Sequence, residues 1–119
     1  MNVLPIYHPD ARLELLDVLK APGRAVKQCT GMMIARHHAM DLGLEPLAPS
    51  EYLTSGAGGY ATLYGVEYSY NLFGRVECVY QVEAGVVTLL AIDAWQATAR
   101  VGLPKSAPDA RARAWGRST

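Results

Sequence analysis

Arg75 is the residue of this chain whose type and position could do the most specific chemistry. It opens the segment RVECVYQVEAGVVTLLAID, residues 75–93, on a face where most side chains are polar. A guanidinium is permanently charged and presents a planar fork of donors, so it can stabilise the negative charge that develops on a phosphate during transfer. The simpler alternative is a surface arginine that pairs with Glu67 or Glu77.

Histidines and cysteines form the next candidates for chemistry. His37 and His38 are adjacent, but no third metal ligand lies at a recognisable spacing, so a packed His37 beside an exposed His38 is favoured over a metal or acid/base site. Cys29 and Cys78 have the spacing of neither a disulfide framework nor a metal site, and we expect them to be reduced and buried. The chain is therefore predicted to need no metal and no cofactor.

Tyrosines recur on one face of the strand predicted at residues 60–70. Aromatic rings on a sheet can stack on bases, line a small-molecule pocket or fill a core beneath a helix. The core is the favoured interpretation, and the pocket is kept as an alternative. Its lining would be Tyr60, Tyr64, Tyr68 and Tyr80.

Two strands and a tight turn build the segment at residues 75–93. Residues 75–83 alternate between an apolar face and a mostly polar face, whereas residues 86–93 are apolar on both faces. The second strand is therefore predicted to be central and covered on both sides. Gly85 lies in the turn between them, and a further hairpin joins residues 60–70 to the first strand, which gives a three-stranded antiparallel meander.

A first strand and two helices are predicted before the meander. Residues 2–7 form a strand whose proline favours an edge position. Residues 11–20 and 25–42 have the apolar spacing of amphipathic helices, the first capped by Asp10 and the second ended by Gly43.

A loop at residues 43–59 and a short helix at residues 94–101 complete the predicted fold. This order predicts an α+β domain, β-α-α-β-β-β, with two N-terminal helices packed on a small, mainly antiparallel sheet and a short C-terminal helix. Residues 1–102 are predicted to form this single domain. Residues 103–119 are predicted to be a basic, flexible tail, in which Trp115 is an unexplained aromatic residue.

Charge and hydropathy restrict the function and the compartment. Residues 1–102 carry 7 Lys and Arg against 10 Asp and Glu, and residues 103–119 carry 4 against 1, so the net charges are −3 and +3. An acidic body lacks the footprint of a general nucleic-acid binder. Neither a signal peptide nor a membrane-spanning segment is recognisable, and we expect a cytoplasmic protein with no membrane partner.

Two segments and the order of elements resemble the RelE/ParE superfamily of toxins from type II toxin–antitoxin pairs, including its phage-derived and HigB-like branches. The segments are YHPDARLELLDVL at residues 7–19 and GRVECVYQVEAGVVTLLAI at residues 74–92, within a resemblance that covers about residues 3–100. The resemblance implies a bacterial toxin with a cognate antitoxin protein as partner. For ribosome-associated members it further implies metal-independent cleavage of mRNA and inhibition of translation.

The same resemblance suggests which residues would be catalytic. Ribosome-dependent members use an arginine at the start of the hairpin strand on the scissile phosphate; Arg75 matches it, or Glu77 if the register lies two residues later. Arg100 and Tyr68 are lesser candidates. The preceding strand, where such members carry a cation, has no lysine or arginine at residues 60–70. The alternatives are a non-catalytic toxin-fold module that inhibits a protein partner such as gyrase, and a small-molecule-binding domain.

Overall fold

The computed structural model of the chain describes residues 5–55, 61–102, 108 and 110–112. Residues 108 and 110–112 are helical and mark a short C-terminal helix. The other elements, in chain order, are β1 (Ile6–Tyr7), α1 (Pro9–Lys20), α2 (Arg24–Asp41), a 3-10 helix (Pro49–Glu51), β2 (Tyr52–Ser55), β3 (Thr62–Tyr70), β4 (Gly74–Glu83), β5 (Val86–Gln96) and β6 (Ala99–Val101).

The strands form one six-stranded sheet in the order β1-β5-β4-β3-β2, and β6 also pairs with β5. β1 runs parallel to β5, and the other neighbours are antiparallel. The predicted α+β class, with two N-terminal helices on a mainly antiparallel sheet, is confirmed. The meander is also confirmed, and β5 is an interior strand, paired with β4 on one edge and with β1 and β6 on the other. In the described part of the chain, no helix has the length and apolar character needed to cross a membrane.

The helix predicted at residues 94–101 is wrong. β5 continues to Gln96, the chain turns at Ala97 with φ 55°, and β6 returns alongside, with Trp95 opposite Arg100. The segment has helical composition, but β4 offers Gly74 and Arg75 as ladder partners for the end of β5. Pairing with an existing strand outweighs the weak local propensity of so short a segment.

Two further predictions fail in detail. His8 caps α1 in place of Asp10: its Nδ1 atom accepts a hydrogen bond of 3.0 Å from the Asp10 amide. The loop predicted at residues 43–59 contains the 3-10 helix and β2, an edge strand that pairs with β3. Tertiary pairing creates β2, because the segment alone has no strand periodicity.

The main core lies between the helices and the inner face of the sheet. The buried residues that form it are Ala11, Val18, Val26, Cys29, Met33, Val66, Tyr68, Val76, Cys78, Tyr80, Leu89, Ile92 and Ala94. Both cysteines are free and buried, as predicted. Tyr68 and Tyr80 belong to this buried cluster, so the core interpretation holds for these two tyrosines.

A buried ion pair closes the outer edge of β5. β1 pairs with this edge at Thr88 and Leu89, and β6 pairs with it at residues 94–96, so a gap separates them. Beside the gap, the β4–β5 register shifts by a bulge near Leu90. The Glu14 Oε1 atom accepts from the Ile92 amide at 3.0 Å, and its carboxylate bonds Arg111 at 2.7 and 2.9 Å.

Arg111 completes this arrangement from the C-terminal helix. Its Nη1 atom also donates to the Leu90 carbonyl at 2.6 Å. Its side chain is 2% exposed, and Ala112 packs with Leu63 and Leu90 on the other face of the sheet. The prediction of a flexible tail does not describe Arg111 and Ala112, because the buried Glu14 carboxylate holds this arginine in place. Trp115 lies outside the described residues.

Arg111→Met should lower the free energy of unfolding by about 3–5 kcal/mol, because it leaves the Glu14 carboxylate as a buried charge without its main partner. Urea denaturation followed by circular dichroism measures this change. The matched control is Arg24→Met, which removes an exposed arginine at the start of α2 and should stay within about 0.5 kcal/mol of the wild type.

A double variant tests the coupling. Glu14→Leu with Arg111→Met should be less destabilising than the sum of the single changes, since no charge is left unpaired. It should still be less stable than the wild type, because the Leu90 carbonyl and the Ile92 amide lose their partners. Equal stabilities for Arg111→Met and Arg24→Met would show that the ion pair does not hold the fold together.

Candidate functional site

Arg75 and Arg100 meet at one aromatic ring on the outer face of the sheet. The guanidinium carbon of Arg75 lies 4.2 Å from the centroid of the Trp95 ring, and that of Arg100 lies 5.0 Å from it. The ladder places the three residues side by side, Arg75 on β4, Trp95 on β5 and Arg100 on β6. These distances are those of cation–π contacts. We call these three residues the Trp95 surface.

Both arginines of the Trp95 surface also contact carboxylates. The Arg75 Nε atom lies 3.3 Å from Glu77 Oε1, and the Arg100 Nη1 atom lies 3.1 Å from Asp93 Oδ1. All four side chains are about 40% exposed, between 38% and 44%, so solvent screens these pairs and each contributes little to stability. Their main effect is on the local field, because each positive charge has a negative neighbour.

An acidic row lies next to the Trp95 surface. Glu67, Glu77 and Asp93 are directly opposite one another on β3, β4 and β5. Three carboxylates beside two guanidiniums give a local formal charge of −1. A phosphate that approached this face would therefore meet net repulsion before it reached either arginine.

Close packing of α2 fixes the strand ends that carry this surface. A Cβ atom on Gly74 would lie 2.5 Å from the Ala25 carbonyl carbon, so only glycine lets the helix approach the start of β4 so closely. Gln96 Oε1 accepts a hydrogen bond of 3.2 Å from the Val26 amide in the first turn of α2. These contacts hold the ends of β4 and β5, and hence Arg75 and Trp95, against the helix layer.

Exposed apolar residues border the same end of the sheet. Leu72 is 91% exposed and Phe73 is 59% exposed at the tip of the β3–β4 hairpin. The Phe73 carbonyl accepts from the Ala97 amide at 2.8 Å, which ties this tip to the β5–β6 turn. A large aromatic ring, two arginines and an apolar border are the composition typical of protein-binding surfaces.

The predicted site residues are only partly brought together. Arg75 and Arg100 share the outer face, whereas Tyr68 is opposite Val76 on the inner face and is 5% exposed. Tyr68 therefore cannot act on a substrate bound at Arg75. Glu77 would match the arginine of the family if the register lay two residues later than Arg75. It lies on the same outer face, as a strand period of two requires.

Trp95 is the residue of this surface that the sequence analysis missed. It lies within the segment at residues 94–101 for which a helix was predicted. The alternation of Ile92 and Ala94 with Asp93 and Trp95 continues the period of β5, and this was the signal for a strand with Trp95 facing outward.

The predicted tyrosines do not share one pocket. Tyr80 is fully buried in the core and Tyr68 is nearly so, whereas Tyr64 lines a separate cavity of about 370 Å³ with Met40 and Leu47. Tyr60 lies outside the described residues. Tyr64, Tyr68 and Tyr80 therefore do not line one common pocket, and the predicted small-molecule pocket of four tyrosines is not formed.

A chain of hydrogen bonds crosses the core around His37. Tyr7 Oη lies 2.8 Å from His37 Nδ1, His37 Nε2 lies 2.6 Å from Tyr80 Oη, and Tyr80 Oη lies 2.8 Å from Tyr68 Oη. His37 is 3% exposed and His38 is exposed, which confirms the packed-histidine prediction. Beyond Tyr68, Arg36 forms a two-pronged ion pair with Glu51.

Burial shifts the pKa values of the hydrogen-bonded side chains around His37. It lowers the pKa of His37 to about 4, with the Arg36 charge as a smaller cause. Burial also raises the pKa of Tyr7 and that of Tyr68 to about 12, and it raises the pKa of Tyr80. At neutral pH the hydrogen-bonded side chains around His37 are therefore uncharged, which suits a polar network within a core.

In the described part of the chain, no group of three or more His, Cys, Asp or Glu side chains is placed to bind a metal ion. Comparison of the chain with protein-family models, with curated proteins and with solved structures found no match. The Trp95 surface and the His37 chain are thus interpreted from their own geometry.

The His37 imidazole should make stability depend on pH. In the unfolded chain it binds a proton near its ordinary pKa of about 6.5, but in the folded chain only near 4. The unfolded state therefore binds more protons in this window, and the free energy of unfolding should fall by about 3 kcal/mol from this group as pH drops through it. Urea denaturation at a series of pH values measures the slope.

Two histidine variants isolate the source of that slope. His37→Gln should be less stable at neutral pH, yet should lose the part of the pH dependence that falls between the two pKa values. His38→Gln, at the exposed neighbouring position, should keep the wild-type slope, which also contains the carboxylate contributions. If both variants retain the same slope, His37 is not held neutral by burial.

Proposed function

We propose that this chain is the toxin component of a bacterial toxin–antitoxin pair, with a RelE/ParE-like fold, and that it acts in the cytoplasm by binding a protein through the Trp95 surface. The observation that carries this conclusion is the state of the two arginines: Arg75 and Arg100 both stack on Trp95 and both contact a carboxylate. The arrangement of two N-terminal helices on an antiparallel meander is consistent with the resemblance of the sequence to that family.

Electrostatics favour protein binding over RNA cleavage at this face. A phosphate-stabilising arginine must direct its donors at the substrate, but Arg100 already donates to Asp93. Arg75 makes no hydrogen bond through its Nε atom to any residue that the structure describes, yet its positive charge lies at ion-pair distance from Glu77. The acidic row adds Glu67 to those carboxylates. A protein partner with its own mixed charges can exchange these ion pairs for intermolecular ones, whereas an RNA backbone offers only negative charge.

The proposed interface has an aromatic centre and a polar rim. Trp95 would be the central contact, since tryptophan and arginine are enriched among residues that dominate binding energy. Leu72 and Phe73 extend the surface toward the hairpin tip. The cognate antitoxin, which the family resemblance implies, and the inhibited target would both be proteins that recognise features of this kind.

Trp95→Ala should abolish the growth arrest that the wild-type chain causes when it is expressed in a bacterium. Loss of a central tryptophan typically weakens a protein interface by about 2 kcal/mol or more, which is about 30-fold in affinity. Growth curves after induction measure the effect. Urea denaturation of each purified variant separates loss of binding from loss of folding.

The matched control is Leu44→Ala, which removes an exposed apolar side chain from the loop after α2. This variant should arrest growth as the wild type does. Cellular mRNA should remain uncut in all three cases. A wild-type chain that does not arrest growth would contradict the toxin proposal, and full arrest by a folded Trp95→Ala chain would contradict the assigned surface.

A metal-independent endoribonuclease associated with the ribosome is the second candidate. The convergence of Arg75 and Arg100 on one face favours it, because two guanidiniums could contact one scissile phosphate. Glu77 or Asp93 could then accept the proton of the attacking ribose 2′-hydroxyl. Tyr68 has no part in this version, because it is buried on the other face.

Cleavage of mRNA on translating ribosomes tests the second candidate. If it is correct, the purified wild-type chain should cut mRNA, and Arg75→Ala should reduce the rate by about a hundredfold or more, as loss of a preorganised charge donor does. Arg24→Ala, at an exposed arginine outside the Trp95 surface, should cut at the wild-type rate. Absence of cleavage by the wild-type chain would eliminate this candidate and leave protein binding.

A further inference from the structure

A cleft of about 430 Å³ lies where β1, α1 and α2 meet. Its apolar wall is formed by Pro5, Ile6 and Ile34, and Ile6 and Ile34 are about half exposed. Its polar lining includes Tyr7 and Arg12, and the remaining polar groups are two histidines described below. The volume is within the range of small-molecule sites, which combine apolar walls with a few placed polar groups.

Arg12 and His38 face this cleft with their donors unused. Within residues 5–55, 61–102, 108 and 110–112, neither side chain makes an ion pair or a side-chain hydrogen bond. Arg12 is permanently charged and presents its guanidinium fork as donor only. The cleft therefore has a cationic side that no described carboxylate neutralises.

The His37 chain adds a further donor to the cleft. Tyr7, a neutral His37, Tyr80 and Tyr68 carry four protons for the three hydrogen bonds that join them, so one proton is left over. A proton without an acceptor is costly in the core, and Tyr80 is fully buried and Tyr68 is 5% exposed, whereas Tyr7 is only partly buried and lines the cleft. The leftover proton therefore belongs at the Tyr7 end, and Tyr68 donates to Tyr80 Oη at 2.8 Å. Tyr80 must then donate to His37 Nε2, and a neutral His37 donates from Nδ1 to the Tyr7 oxygen.

The direction of these bonds leaves one proton without an acceptor in the described part of the chain. Because the Tyr7 oxygen accepts from His37, its own hydroxyl hydrogen is free to point into the cleft. The burial of the other members of the network thus orients the Tyr7 hydroxyl as a donor to the cleft.

We propose that this cleft binds a small molecule with a carboxylate group and an apolar body. The carboxylate accepts from the Tyr7 hydroxyl, the Arg12 guanidinium and His38, and the body packs on Ile6 and Ile34. A carboxylate fits because an arginine fork binds its two oxygens together. A free phosphate also accepts these bonds, but it would leave the isoleucine wall in contact with water. The site uses residues distinct from the Trp95 surface and does not depend on the proposed toxin function.

Benzoate is a suitable probe, and benzamide is its neutral counterpart of the same shape. NMR titration of the full chain at neutral pH follows the signals of Tyr7, Ile34 and His38. Benzoate should produce saturable shifts at millimolar concentrations, and benzamide should bind about tenfold more weakly because it lacks the charge. Inorganic phosphate should produce no saturable shift at Ile34.

Two cleft variants and one control assign the donors. Arg12→Gln and Tyr7→Phe should each weaken benzoate binding by about tenfold, while Arg24→Gln, at the start of α2 outside the cleft, should leave it unchanged. Arg12 is exposed and makes no ion pair or side-chain hydrogen bond within the described residues, so its replacement should not disturb folding even if Tyr7→Phe proves unstable.

Three results would overturn the proposal. These are equal affinities for benzoate and benzamide, an Arg12→Gln chain that binds benzoate as Arg24→Gln does, and phosphate binding as tight as that of benzoate with the same shifts at Ile34. The first two remove the carboxylate contact, and the third replaces the proposed ligand class with a simple oxyanion.

Discussion

The buried ion pair between Glu14 and Arg111 is the contact on which the rest of the structure depends. Transfer of two charges out of water is unfavourable by several kcal/mol for each ion, so such a pair persists only where its remaining hydrogen-bonding groups are satisfied. Here the ions also bond the Ile92 amide and the Leu90 carbonyl, two backbone groups at the gap in the β5 edge. The pair therefore joins α1, β5 and the C-terminal helix at one point.

The two faces of the sheet differ in the charge and the exposure of their polar groups. On the inner face, His37 and its tyrosine partners are buried, and burial keeps the imidazole uncharged by lowering its pKa to about 4. On the outer face, Arg75 and Arg100 remain charged, partly exposed, and next to carboxylates. The first arrangement suits an ordered network that fixes hydroxyl directions, and the second suits an adaptable surface for a protein partner.

Alternation along the strands explains which parts of the candidate site could be predicted. The period of two placed Arg75 and Glu77 outward and Cys78 and Tyr80 inward, and the structure has them so. Tyr68 was grouped with Arg75 because a family resemblance suggested a role, although Tyr68 already belonged to the tyrosine face predicted to fill the core. The register of the hairpin, with Tyr68 opposite Val76, excludes it from the outer face.

The sequence by itself determined the α+β class, the two amphipathic helices, the meander and the interior position of β5, because each follows from a local apolar period and from turn residues such as Gly85. Only the tertiary structure decided the rest. β6 forms because the pairing of β4 with β5 continues into a segment of helical composition, whose end then pairs with β5. Arg111 is buried because it binds the Glu14 carboxylate, which lies at the β5 edge and is distant in sequence. These outcomes depend on contacts between residues far apart in the chain, which no local pattern encodes.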